Sequence, residues 1–361
     1  MRQGWGFAAL RAMLGAVPLA ASLLVGALPA GLLSAAGAAA QTAAAGPTLA
    51  AVRARGVLVC GTSTGAPGFS VLDNRGENRG LDADLCKALA AAVLGDPTKI
   101  RWVPLTSQAR FPALQSNQID VLIRTATWTQ SRDTALGLNF TAVSFYDGQG
   151  FLVRRSAGIA RAAELQGASI CTVSGSTSEL NLADWARVNG IRYTPVVFEQ
   201  NEEAANAYAA GRCDAYSTDA SQLAAIGASL PDAANHMVLP DIISKEPHAP
   251  VVRHGDDQWF DIVRWMMFAL YAAEEQGVTR ANVDSMLESP NPEIRRLLGT
   301  SGDHGPMMGL DRRWAYAMIK AVGNYGEIFD RNLGEGSIFR LPRGLNALWN
   351  RGGLMYPMPI R

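Results

Sequence analysis

The sequence predicts an α/β protein built as two similar lobes, and three observations carry that expectation. The first is an internal echo. Leu114-Gln115-Ser116-Asn117-Gln118-Ile119-Asp120-Val121 has a counterpart at Tyr208-Ala209-Ala210-Gly211-Arg212-Cys213-Asp214-Ala215. Each reads as a helix end, a turn at Asn117 or Gly211, and a short strand, because Asn and Gly best tolerate the left-handed conformation that closes a helix. The second is that Val57-Leu58-Val59-Cys60 is echoed by Ala168-Ser169-Ile170-Cys171. The third is the alternation of strand-like apolar runs with helix-period runs, which implies a mostly parallel sheet in each lobe. Open α/β sheets bind ligands where their strands end, so two such lobes facing each other make a clamp.

In the first lobe, residues 56–61 form a short apolar strand. Residues 81–94 form a helix, since Leu81, Leu85, Ala88, Leu89 and Ala92 recur at helical spacing and Gly95 ends the run. A strand at 100–104, a helix at 108–116 and a strand at 119–123 follow. The second lobe repeats the plan: strand 169–173, helix 176–188, strand 192–197, helix 202–210 and strand 213–217. Extended crossings between lobes are expected at 149–154 and near 247–253. Residues 256–276 make a long helix whose Trp259, Phe260, Trp265, Phe268 and Tyr271 read as packing, and it returns to the first lobe. The tail, residues 282–361, is helical in pieces and wraps one lobe. The expected organisation is a leader at 1–40, the first lobe at 49–150, the second at 151–248, and 249–361 as the return plus a helical extension.

The chain has 361 residues, 18% of them charged, which allows two domains with full cores. Formal net charge is zero, so no global field favours nucleic acid, and the scattered arginines beyond Asp311 read as a solvated face. At the N-terminus, Arg2 and Arg11 precede an apolar run at 13–33, and Ala38-Ala39-Ala40 fits a cleavage site. This predicts a secretory signal peptide removed near Ala40. The alternative is an uncleaved membrane anchor, which Gly15, Pro18, Gly26, Pro29 and Gly31 argue against. Export and an even cysteine count suggest disulfides among Cys60, Cys86, Cys171 and Cys213. Bonds within each lobe, Cys60–Cys86 and Cys171–Cys213, leave a hinge free. The second pair would join neighbouring parallel strands, an awkward geometry, so buried free thiols stand as its alternative. No spacing suggests a metal, and no cofactor is called for.

Four segments carry candidate chemistry. Gly61-Thr62-Ser63-Thr64-Gly65 matches the hydrolase pattern G-x-S-x-G, but loop follows it rather than helix, so Ser63 reads as part of a polar loop lining the cleft. Thr125-Ala126-Thr127-Trp128-Thr129-Gln130-Ser131-Arg132-Asp133 delivers hydroxyls, peptide N–H groups and an arginine at a strand end. That combination suits a small carboxylate, gripped by Arg132 in a bidentate manner; the alternative pairs Arg132 with Asp133 or another surface acid. Ser174-Gly175-Ser176-Thr177-Ser178-Glu179 looks like a capping box, and a helix N-terminus is also a prepared anion site. Asp219 ends a strand; it reads either as an N-cap or as the partner of a ligand ammonium. A carboxylate site and an ammonium site facing one cleft describe an α-amino acid zwitterion.

With these residues in view, the chain resembles the periplasmic solute-binding proteins of amino-acid ABC importers, solute-binding protein family 3, and within them the general L-amino acid binding type. The segments that carry the resemblance are 80–88, 113–121, 127–133, 146–151 and 211–214, with a tail running from Trp314-Ala315-Tyr316 to Leu348-Trp349. The resemblance implies a type II periplasmic-binding-protein-like fold: two α/β lobes, a two-strand hinge and a helical C-terminal extension. It implies a periplasmic, monomeric, non-enzymatic receptor that hands L-amino acids to a membrane permease complex. It places the carboxylate-binding arginine on Arg132, the hydroxyl-bearing loop on Thr125 and Thr127, the anion loop on Ser176 and Thr177, and the ammonium-binding acid on Asp219. Ser63 stands where members preferring basic amino acids carry an acid, and Arg124 where those members often carry a serine. Both departures argue against a strict lysine or arginine preference; Arg124 either favours acidic side chains or braces the cleft, and Arg124, Ser63 and Trp128 are the candidate side-chain selectors. A periplasmic dehydratase on the same fold (cyclohexadienyl dehydratase-like) and a ligand-sensing module for a signalling receptor are the rival readings.

Overall fold

The computed structural model describes residues 46–361. The expected signal peptide and its cleavage site lie outside the described residues. Two five-stranded sheets organise the described chain. The first runs in the order Ile100–Leu105, Leu58–Ser63, Val121–Leu122, Val251–Arg253, Leu138–Phe140. The second runs Thr194–Phe198, Ser169–Val173, Ala215–Asp219, Gln149–Arg154, His236–Val238. In each, the first three strands are parallel and the fourth is antiparallel to both of its neighbours. The internal echo is thus one sheet plan used twice.

Local sequence explains why these elements form. Leu58–Ser63 is buried along its whole length, as a central parallel strand must be. The helix Leu81–Leu94 has the bounds its periodicity predicts, and Gly95 closes it at φ 71°. The two echoed turns are left-handed, Asn117 at φ 61° and Gly211 at φ 79°. The expected crossings are displaced by a few residues. Gln149–Arg154 belongs to the second sheet and Val251–Arg253 to the first. The lobes are joined instead by the segments just before them, Phe145–Asp147 and Glu246–His248, which pair antiparallel as a two-stranded ribbon.

The long helix Asp257–Glu275 returns to the first lobe, and Trp259, Ile262, Met266 and Leu270 are buried in the core that holds Leu58, Leu85 and Leu89. The tail joins that core: Trp314, Met318 and Ile319 of the helix Trp314–Val322 and Tyr325, Ile328 and Phe329 of the helix Tyr325–Asn332 are buried in it. Asn324 and Glu327 form a capping box at the start of the second of these helices. Arg331 and Asn332 both donate to the Asp84 carboxylate at the start of helix Leu81–Leu94. The tail therefore belongs to the first lobe. No described helix is long and apolar enough to cross a membrane.

Both cysteine pairs are disulfides, Cys60–Cys86 and Cys171–Cys213. The second avoids the awkward cross-strand geometry because Cys213 lies in the turn ahead of its strand, and it is Tyr216 that stands opposite Cys171 in the register. The Cα atoms are 5.7 Å apart, inside the usual range. This bond closes a separation of 42 residues. The double change Cys171→Ala and Cys213→Ala is expected to cost about 3–4 kcal/mol on loop-closure grounds. Guanidinium unfolding of both proteins under oxidising conditions checks this, and an unchanged midpoint would show that the bond constrains nothing.

Candidate functional site

The parallel strands of both sheets end at one polar pocket between the lobes. The enclosed cavity is small, ≈ 20 Å³, room for about one water. The first lobe contributes Ser107, Arg110, Arg124, Thr125 and Thr127; the second contributes Ser176, Thr177, Asn201, Asp219 and Gln222. The lobes touch across it, with Thr127 Oγ1 3.2 Å from Thr177 Oγ1.

The loop that follows Val121–Leu122 is shaped by a strained residue. Thr125 has φ 35°, a left-handed conformation that a β-branched side chain rarely adopts. Its N–H is held by the buried Asp82 carboxylate at 2.9 Å. Burial raises the Asp82 pKa to about 6, against the opposing charges of His248 and Arg124 and the Thr125 hydrogen bond. The bend brings Arg124, Thr125 and Thr127 to the pocket together.

Arg132 stands one step behind the wall. Its Nη1 donates to the Thr127 carbonyl at 3.0 Å, and its guanidinium lies 5.2 Å from the centroid of the Phe111 ring. It forms no ion pair with Asp133, whose carboxylate accepts the Phe140 N–H instead. Trp128 turns away from the pocket: it is 36% exposed and stacks on Phe140 at 5.9 Å. The strand-like alternation that points Thr127 inward points its neighbour outward. Ser63 is buried at its strand end and does not line the pocket; its hydroxyl sits 3.4 Å from the Gly65 N–H.

In the second lobe, Ser176 caps the helix Thr177–Asn189 by accepting the Glu179 N–H at 3.1 Å. The reciprocal half of the expected capping box is shifted, because the Glu179 carboxylate takes the Gly175 N–H. Asp219 precedes the helix Ala220–Ser229 but makes no capping bond. Its carboxylate accepts from Gln222 Nε2 at 2.7 Å and lies 3.2 Å from His248 Nε2. The N-cap reading of Asp219 is therefore replaced by a carboxylate aimed into the site.

Several residues escaped sequence reasoning. Glu246, fully buried in the hinge ribbon, accepts from Thr127 of the first lobe and from Thr177, Asn181 and Ser244 of the second. Arg110 lies on the helix Arg110–Gln115, and Asn201 opens the helix Asn201–Ala209. Asp147, Asp219 and His248 bring ligand-type atoms within 4.8 Å of one another, a donor set that could hold a metal ion. In this structure Asp147 bonds the Ser221 hydroxyl and N–H, and Asp219 faces the imidazole, neither of whose nitrogens has a hydrogen-bond partner among the described residues.

The comparisons with known proteins agree with this fold. The class is that of two-lobed, type II periplasmic-binding-protein-like receptors. The family described as bacterial extracellular solute-binding proteins, family 3, matches residues 58–279, and the chain belongs to it. It is 54% identical over 322 residues to the general L-amino acid-binding periplasmic protein of Rhizobium johnstonii, covering 89% of this chain and 94% of that protein. It is 54% identical over 320 residues to the glutamate/glutamine/aspartate/asparagine-binding protein of Rhodobacter capsulatus, covering 88% and 95%. Among solved structures, an ABC transporter / periplasmic binding protein from Brucella ovis with glutathione bound is 53% identical, with a TM-score of 0.85 over 87% of this chain and 99% of that one.

The buried charges give the protein a pH dependence. Burial alone would lower the His248 pKa, but the charges of Asp219, Asp147 and Asp82 outweigh it and raise it from 6.5 to about 9. A raised folded-state pKa stabilises fully below the unfolded value, and that contribution is lost as pH climbs through the folded one. Asp147, raised from 3.8 to about 7 by burial and by Asp219, has the same sign at lower pH. Melting temperature should fall as pH rises from 6.5 to 9, and His248→Asn should flatten that part of the profile. Parallel profiles for the two proteins in a thermal-shift series would mean that His248 is not charged in the fold.

Proposed function

We propose that this chain is a periplasmic receptor that binds L-amino acids between its two lobes and delivers them to an ABC importer. The observation that carries the reading is the pairing of opposite charges at one enclosed pocket. Thr127 and the helix N-terminus at Thr177, backed by Arg132, suit an α-carboxylate. Asp219, with the strained Thr125 beside it, suits an α-ammonium. Ligand contacts reach both lobes, so binding favours the closed arrangement through differential affinity, and the hinge ribbon is the element that moves.

The relatives support the same reading. Two of them are named as amino-acid binders, and the Rhizobium johnstonii protein is named as periplasmic. Both are named as binding proteins, which favours a receptor over an enzyme. In this reading the chain is exported by a cleaved N-terminal segment, acts as a monomer and docks on a membrane permease complex.

Affinity near micromolar, about −8 kcal/mol, is expected for so polar a ligand. Arg132→Ala should weaken binding of every L-amino acid about 100-fold, because a desolvated carboxylate loses its charged partner. Asp219→Asn should do comparable damage. Calorimetry on protein stripped of ligand by unfolding and refolding checks both; variants that bind as tightly as the parent would remove these residues from the site.

A further inference from the structure

His248 is a buried polar side chain of the hinge without a partner. It is 1% exposed, and neither Nδ1 nor Nε2 has a hydrogen bond with any described residue. Its ring packs on Phe69 and Phe145, with centroids 6.1 and 6.0 Å away. An orphaned buried polar group is rare in a folded protein, and an ion is one of the few things that accounts for it. The polar atoms nearest the imidazole are carboxylate oxygens. Asp219 Oδ2 is 3.2 Å from Nε2, and with Asp147 the three residues bring ligand-type atoms within 4.8 Å of one another. The fold makes this meeting from three strand ends. Asp147 ends Phe145–Asp147 and His248 ends Glu246–His248, the two strands of the hinge ribbon, while Asp219 ends Ala215–Asp219 in the second lobe. Both carboxylates are held in place from behind, Asp147 by the Gly148 N–H and by Ser221, and Asp219 by Gln222 Nε2. Metal-binding carboxylates are oriented by outer hydrogen bonds of this kind.

We propose that Asp147, Asp219 and His248 form a site for a borderline divalent transition cation such as Zn²⁺, which takes the place of a ligand's α-ammonium. One imidazole and two carboxylates are a donor set suited to zinc, whereas magnesium and calcium favour oxygen alone. Neighbouring donor atoms around a tetrahedral zinc stand about 3.4 Å apart, close to the 3.2 Å between Asp219 and His248. Three protein ligands leave a fourth position for water, as in open zinc sites. The charges of Asp219, Asp147 and Asp82 all act on His248, so the field at this point favours a cation. A proton on the imidazole and a metal ion supply positive charge at the same place, so the ion displaces the proton. Asp219 is also the acid suited to an α-ammonium, and it does not serve both cations at one point. Metal and amino acid therefore exclude each other. An ion held here bonds both hinge strands and the end of a second-lobe strand at once.

The exclusion rests on the receptor reading above; the metal site does not, and the measurements separate the two. Parent protein, stripped of ligand and treated with a chelator, is titrated by calorimetry with Zn²⁺ and with Mg²⁺. It is then titrated with the tightest binder of a panel of L-amino acids, with and without Zn²⁺. One Zn²⁺ should bind and Mg²⁺ should not. At free Zn²⁺ ten times its own dissociation constant, the amino acid should bind about 10-fold more weakly, by mass action. His248→Asn and Asp147→Asn should each weaken Zn²⁺ at least about 10-fold, the loss that even an outer partner of a metal ligand causes. At the same Zn²⁺ concentration their amino-acid affinity should hardly change. Equal weakening in parent and variants would mean that zinc acts on the free amino acid, and overturns the proposal. Diffraction from parent crystals soaked in Zn²⁺ needs no variant to fold. An anomalous peak between Asp147, Asp219 and His248 is expected; zinc found only elsewhere, or no zinc, overturns the site. Zinc at these residues with unchanged amino-acid affinity overturns the exclusion. A folded parent that binds no amino acid overturns the receptor reading, and the zinc titration and the anomalous peak still decide the metal site.

Discussion

One buried carboxylate ties the arrangement together. Glu246 sits in the hinge ribbon and accepts hydrogen bonds from Thr127 on one side of the cleft and from Thr177 and Asn181 on the other. A fully buried carboxylate is tolerated only when its lone pairs are met, and here four side-chain donors converge on it. Those donors come from both lobes, so the bonds can all exist only when the lobes are closed. Thr127 and Thr177 are also the hydroxyls suited to a ligand carboxylate. The hinge acid and a ligand would thus engage the same two groups, which couples closure to occupancy through a few hydrogen bonds rather than through a large interface.

The cleft is rich in charge of both signs. Arg110, Arg124, Arg132 and His248 face Asp82, Asp147, Asp219 and Glu246, and most are nearly excluded from water. A pocket filled with apolar side chains would fold with less difficulty. The cost is concentrated where a small polar ligand must be desolvated, and preorganised groups lower the penalty of binding it. The left-handed Thr125, pinned by Asp82, belongs to the same pattern: strain retained at a binding loop and held by a buried partner.

Much of the fold was legible because its signals are local. The helix Leu81–Leu94 has a long apolar period and a glycine stop, and Asn117 and Gly211 marked equivalent turns in the two lobes. The loop 124–127, Thr177 and Asp219 were legible because strand ends in open sheets point to ligands. What escaped is long-range. Arg110 lies on a six-residue helix whose sequence says nothing of the partner it lacks. Glu246 and His248 belong to a three-residue strand, too short to show a period, so the crossings were expected a few residues too late. Trp128 shares its segment with Thr127, and only the alternation of side chains along the extended chain separates them.

The same short strand shows how a hinge can be ordered without being stiff. A two-stranded ribbon is marginal alone, and this one contains Pro247, which cannot donate to a ladder. Pro247 faces Tyr146 in the register, and its carbonyl points outward to accept the Trp128 N–H at 2.7 Å. Tyr146 likewise turns its backbone to the outer edge, where the Asn346 side chain accepts its N–H at 2.7 Å and donates to its carbonyl at 3.0 Å. Asn346 therefore does for the ribbon what a third strand would do, with a single residue. The Tyr325 hydroxyl adds a bond to the Ser144 carbonyl just ahead of the ribbon, at 2.8 Å. Both residues come from the C-terminal extension, which is packed into the first lobe. The extension thus ties one edge of the ribbon to the core of the first lobe.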